Sequence, residues 1–238
     1  CRDIVAILAL SSEQKQQIAA ELKIPHEQIT VVGAGYNQKI FYGKEVCRPD
    51  EKALVYAGKI CRAKGVNWLL QALSQLPDSF RLHLAGSGSG SEYHYCMKLA
   101  ESLGDRVVIH GTLSQDALAE LLNMCSLFVL PSLHEGLPLC VIEALACGCR
   151  VIATDLPGTR EIKRFIPEDH LQIVSKPVVL DTNRSIIADE QAFVRDLRNA
   201  IGKMLAGSQT NSPVQMPSCF TWSEVFKRIE NSWYSILH

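Results

Sequence analysis

Pro131-Ser-Leu-His-Glu-Gly-Leu-Pro-Leu-Cys-Val-Ile-Glu-Ala-Leu-Ala-Cys-Gly148 follows an apolar segment and carries two carboxylates eight residues apart, Glu135 and Glu143. The Glu-Gly-Leu-Pro turn breaks the backbone after the first of them. A helix is expected over 138–146, with Pro138 in its first turn, where proline is tolerated. Glu135 then belongs to a loop at the mouth of a sheet, and Glu143 lies about one turn into the helix. Between them sits a helix N-terminus whose free N–H groups suit a phosphate. Carboxylates accept hydrogen bonds from sugar hydroxyls, so the stretch offers two polyol clamps around one anion site. A nucleotide sugar presents that order of groups: ribose, diphosphate and hexose.

On either side of this stretch, short apolar runs alternate with amphipathic helical segments, the pattern of a parallel α/β sheet. Strands are expected at 29–32, 53–57, 81–85, 107–110, 127–130, 150–153 and 171–174. Helices are expected at 12–22, 65–76, 91–103, 114–123, 138–146, 158–164 and 189–205, the fourth starting on Ser114 as its cap. Ligands of such sheets collect at the carboxyl ends of the strands. The glycine-rich turns after Ala57, Ala85 and His110 and the loop after Leu130 all fall on that rim.

Composition limits the function classes. The chain has 238 residues, of which 47% are hydrophobic, and a net charge of −1. That is enough to bury a large core, and near-neutral charge argues against nucleic acid as a partner. No apolar run reaches the roughly 18 residues of a membrane span. The apolar start at 4–10 leads into a polar helix rather than a cleavage site, so it does not read as a signal peptide. The nine cysteines lack paired C-x-x-C spacing. Most lie inside apolar segments, which favours free thiols and a reducing, cytoplasmic setting.

The motif at 135–143 resembles the E-x7-E motif of retaining GT-B glycosyltransferases, in particular glycosyltransferase family 4. Further pieces stand in the family's order. Gly58-Lys-Ile-Cys-Arg-Ala-Lys-Gly65 is similar to its G-R-L-x-x-x-K-G segment, and Leu84-Ala-Gly-Ser-Gly88 to its strand with G-x-G. Val107-Val-Ile-His-Gly-Thr112 resembles the strand before its base pocket, and Gly158-Thr-Arg-Glu161 its later G-x-x-E. The resemblance is close over residues 28–165 and loose outside them. It implies an α/β fold with a Rossmann-like parallel sheet and helices on both faces, one half of a GT-B fold.

The resemblance also implies roles. Glu135 would contact hydroxyls of the transferred sugar, and Glu143 would grip the two ribose hydroxyls. Lys59 and Lys64 would hold the diphosphate and stabilise its charge as the sugar leaves. Gly136, Leu137 and Leu139 would offer backbone N–H groups to phosphate and sugar oxygens. Gly86 would form a tight turn near the donor, and Gly111 and Thr112 would border the base. No metal is expected, since no aspartate pair with D-x-D spacing occurs in the chain. Two positions depart from the family: lysine at 59, where arginine is usual, and Arg150, where proline commonly precedes the strand. Lysine keeps the charge but loses the bidentate fork, for which Arg62 could compensate. His134 beside Glu135 reads as an incidental loop residue, and the pair Cys147 and Cys149 as packing.

The expected organisation is a Rossmann-like donor domain over 1–207, with residues 1–45 including an interdomain connection. A linker and a crossover helix would follow at 208–238. Ile7-Leu-Ala-Leu-Ser-Ser-Glu13 resembles the end of the family's first domain, and Gly33-Ala-Gly-Tyr-Asn37 its linker, with asparagine for aspartate. The implied partners are a nucleotide-sugar donor, an absent N-terminal domain and a sugar or lipid acceptor. Peripheral membrane association through the absent domain would also fit. A non-catalytic nucleotide-sugar module and another GT-B enzyme, such as an epimerase, are the alternatives.

Overall fold

The computed structural model describes residues 6–44, 52–206 and 214–237. Its first unit is small. Strands β1 (Ile7–Ala9) and β2 (Ile29–Val31) pair in parallel, joined by helix α1 (Ser12–Leu22). Ser11 caps α1 by accepting from the Gln14 amide at 3.1 Å, and Ala9, Ala19, Ile24 and Ile29 form a separate little core.

The main unit alternates strand and helix: β3 (Ala53–Ala57), α2 (Val66–Ser74), β4 (Arg81–Ala85), α3 (Gly90–Ser102) and β5 (Val107–Gly111). It continues through α4 (Gln115–Met124), β6 (Leu127–Leu130), α5 (Leu139–Ala146), β7 (Arg150–Thr154), α6 (Pro157–Lys163) and β8 (Leu171–Val174). All six strands of this sheet are parallel and lie in the order β5-β4-β3-β6-β7-β8. Numbered within the sheet, that is the 3-2-1-4-5-6 order of the doubly wound fold, with its topological switch between β3 and β6. Both strands at the switch are buried at every position. Covered by helices on both faces, they read as continuous apolar runs rather than alternating ones.

The expected elements are all present, most with ends shifted by one or two residues. Pro138 differs in a way that bears on the site. It precedes the first residue of α5, in extended geometry at φ −75°, ψ 100°, and does not sit in the first turn. A short antiparallel hairpin of β9 (Val179–Asp181) and β10 (Ile186–Ile187) went unforeseen. Its strands of three and two residues are too short for periodicity to register. The Asp181 carboxylate accepting from the amides of Asn183 and Arg184 marks the turn.

Helix α7 (Glu190–Ala206) packs on α2. Of the expected linker, residues 207–213 lie outside the described residues, as do 1–5 and 45–51. The chain resumes at Val214 and ends in α8 (Trp222–Leu237). The turn before this helix reaches the segment after β2, and the helix itself reaches β2: the Tyr36 amide donates to the Phe220 carbonyl at 3.0 Å, and Ser232 meets Thr30 at 3.3 Å. No helix among the described residues is long and apolar enough to cross a membrane. The seven cysteines among them form no disulfide with one another.

Candidate functional site

The switch point is built from two loops, one after β3 and one after β6, and they are fastened together. The Leu133 amide donates to the Ala63 carbonyl at 2.9 Å. Gly65, at φ +73°, lies so close to the second loop that a Cβ there would stand 2.1 Å from the Pro131 carbonyl oxygen. Only glycine satisfies both the backbone angle and the approach. Across this junction the Lys64 ammonium donates to the Glu135 carboxylate at 2.8 Å, so two residues 71 apart in sequence form one ion pair.

A cleft of about 540 Å³ opens beside it over β3, β4 and β5, lined by Lys59, Gly86, Ser87, Gly88, Thr112 and Leu113 among others. Its floor is main chain. The Gly58 amide donates to the Ala85 carbonyl, Ile60 to Ser87 and Gly86 to Gly111, at 2.7 to 2.9 Å. A Cβ on Gly86 would meet the Gly58 carbonyl oxygen at 1.8 Å. Beneath the floor, the fully buried Tyr56 donates its hydroxyl to the Lys59 carbonyl at 2.7 Å. Burial holds that phenol well above its ordinary range, so it stays a donor. Lys59 itself is exposed in the cleft.

A second cavity, of about 260 Å³, lies at Glu135 and reaches the start of α1. Glu135, Gly136, His134 and Lys176 line it together with Ser11 and Gln14. Burial lowers the His134 pKa, and the charges of Lys176 and Lys64 push it in the same direction. Gly136 is exposed, whereas Leu137 is 8% exposed and belongs to the core, so only its backbone can face a ligand. Leu139 opens α5, whose first N–H groups have no partner within the helix.

Glu143 lines neither cavity but lies close by. The Cys140 thiol in the first turn of α5 is pushed up to about 12 by burial, then by the charges of Glu135 and Glu143. Burial alone raises the Glu143 pKa, and no described side chain hydrogen-bonds its carboxylate. An acid placed so is poised to accept from hydroxyl donors.

The structure thus gathers Lys59, Gly86 and Thr112 in one cleft, with Gly111 bonded to its floor through the Gly86 amide, and places Glu135 and Gly136 in the second cavity, with Lys64 paired to Glu135. Arg62 does not reinforce the lysines. Its guanidinium pairs with Glu190 at the start of α7 and stands 5.7 Å from the Trp68 ring. Tyr56, Gln14 and Lys176 were not singled out from sequence. Tyr56 reads there as one more apolar strand position, and the other two reach the site only through long-range folding.

Residues 37–164, more than half of the chain, match the family described as Glycosyl transferases group 1. The chain belongs to that family. An uncharacterised glycosyltransferase of Methanocaldococcus jannaschii is 25% identical to this chain over 170 residues, covering 66% of the chain and 44% of the relative. A serotype-specific mannosyltransferase of Escherichia coli is 29% identical over 218 residues, covering 81% of the chain and 26% of the relative. The chain therefore spans less than half the length of these curated relatives. Among solved structures, Anabaena HepE in complex with UDP has a TM-score of 0.73 at 16% identity, covering 97% of this chain and 64% of that one. The architecture is that of a GT-B Rossmann-like domain.

Removing the Lys64 ammonium should have a defined result. Lys64→Ala is expected to weaken nucleoside diphosphate binding about 10- to 100-fold, the scale of one charge-assisted hydrogen bond. Calorimetric titration of the variant against the parent chain checks it. Equal affinity would remove Lys64 from the site.

Proposed function

We propose that this chain is the donor-binding half of a retaining, family 4 type glycosyltransferase that transfers a hexose from a nucleoside diphosphate sugar to a sugar, lipid or polysaccharide acceptor. The observation that carries the reading is the Lys64–Glu135 pair at the switch point, in a fold with a 540 Å³ cleft over β3, β4 and β5 and a 260 Å³ cavity that Glu135 itself lines. The nucleoside lies in the larger cleft, with the base near Gly111 and Thr112 and the ribose hydroxyls on Glu143. The diphosphate meets Lys59, Lys64 and the N–H groups of Gly136, Leu137 and Leu139. The hexose reaches Glu135. Gly86 keeps the floor low enough for this path.

In the transfer, the acceptor oxygen bonds to the anomeric carbon while the bond from that carbon to the phosphate oxygen breaks. The acceptor proton passes to the departing phosphate. Lys59 and Lys64 face the negative charge that gathers there, which supplies the stabilisation a metal would otherwise give. Acceptor binding belongs to a preceding domain of a longer protein working in the cytoplasm or at a membrane's cytoplasmic face. The chain alone turns over little, because donor and acceptor must be held together.

The test is titration of the chain with UDP, GDP and ADP in the presence of EDTA. One nucleotide is expected to bind saturably and in preference to the other two. No heat of binding from any of the three at millimolar concentration would overturn the reading.

A further inference from the structure

The 260 Å³ cavity differs from the nucleotide cleft in what surrounds it. It joins two units of the fold: Ser11, Gln14 and Gln17 come from the α1 side, His134, Glu135 and Lys176 from the sheet side. The amide side chains and the carboxylate are suited to hydroxyl groups. The space takes one sugar ring and is too small for a nucleotide.

Charge is unevenly distributed around it. Several carboxylates on the adjoining elements already have a cation: Glu135 has Lys64 at 2.8 Å, and Glu161 has Arg164 at 2.9 Å, whereas Glu21 on α1 and Glu143 on α5 form no ion pair among the described residues. Asp155 and Glu13 share Arg160, at 3.3 and 4.0 Å. Lys176 has no ion-pair or hydrogen-bond partner among the described residues, yet it lines the cavity and is close enough for its charge to act on His134. It stands just beyond β8, two strands past β6 in the sheet order, while the cleft for the nucleoside lies on the opposite side of β6. At about 4.8 Å per strand, Lys176 lies past the diphosphate, where the glycosyl groups of the reaction meet.

We propose that this cavity holds a sugar carrying an anionic substituent, a carboxylate or a phosphate, with Lys176 as its counter-charge. The inference rests on the donor path given above and deepens it by naming the class of sugar. The anion can ride on the transferred hexose or on the acceptor, and the two sources are separable.

The chain is titrated, with NMR detection, against glucose, glucuronate and glucose 6-phosphate, and then against UDP-glucose and UDP-glucuronate. At least one anionic ligand is expected to bind about threefold or more tightly than its neutral counterpart, the scale of one exposed charge pair. Lys176→Met should erase that preference, and Lys176→Glu should reverse it. A preference among the nucleotide sugars places the anion on the donor. A preference among the free sugars alone, retained with UDP bound, places it on the acceptor. Equal binding of neutral and anionic ligands, or a preference that survives both substitutions, overturns the proposal. Failure of the donor reading appears separately, as an absence of UDP binding while the free sugars still report on the cavity.

Discussion

Gly158→Ala is expected to lower the stability of the chain by about 3 kcal/mol, the upper part of the range for overpacking a close-packed site. Its melting temperature should fall by roughly 6–12 °C for a chain of this size. An added Cβ would stand 1.7 Å from the Gly136 carbonyl oxygen and 2.9 Å from Pro138 Cδ. Neither neighbour is the flexible end of a side chain, so backbone must move. The α6 side cannot yield easily. The Thr159 hydroxyl accepts from the Leu156 amide and donates to the Thr154 carbonyl at 2.7 Å, holding the first turn of α6 against the end of β7. The strain therefore falls on 136–138, the segment between Glu135 and the start of α5, and nucleotide affinity should drop along with stability. Gly202→Ala is the control. It lies inside α7 with nothing within 4 Å of the added carbon, so it should be neutral or stabilising by up to about 1 kcal/mol. Equal melting temperatures for the Gly158 variant and the parent would contradict the packing described here.

Glu143→Gln should separate function from stability. The carboxylate is partly buried and its pKa is raised by that burial. A raised folded-state pKa means that the folded chain binds the proton more tightly than the unfolded one. The penalty is fully present above the folded pKa and disappears as pH falls below the unfolded value near 4.3. The neutral amide escapes that penalty, so the variant should melt about 1–3 °C higher at pH 7. The gain should shrink as the pH is lowered towards 4. On the proposed ribose role, nucleotide affinity should move the other way, falling about 10- to 100-fold, because an amide cannot match a charged acceptor for two hydroxyls. Thermal melts across pH 4–8, with and without nucleotide, read both effects. A variant that binds nucleotide as well as the parent would take Glu143 out of the site.

The sequence was most legible where the strands are buried on both faces. Ala53–Ala57 and Leu127–Leu130 are continuous apolar runs because neither face meets water, and their ends matched expectation. The glycines were legible as turns but not as contacts: nothing local tells that Gly65 must clear Pro131 or that Gly158 must clear Gly136. The ion pair of Lys64 with Glu135 could be suspected from the motifs, since both belong to rim loops. The engagement of Arg62 by Glu190 could not, because α7 approaches α2 only through tertiary packing. The small cavity was invisible for a similar reason. Its walls come from α1, from the loop after β6 and from the exit of β8, segments with no shared local pattern.

The main-chain floor of the 540 Å³ cleft, proposed above for the nucleoside, has a consequence for how such a domain can change. Three turns hold one another through main-chain carbonyls and amides, groups that every amino acid but proline possesses. The side chains of Ser87, Ser89, Thr112 and Leu113 line the cleft above them without belonging to those bonds. Preference for one nucleobase over another can thus drift through these positions while the platform stays in register. A library randomised there and left untouched at Gly58, Gly86 and Gly88 would sample new donors from folded proteins.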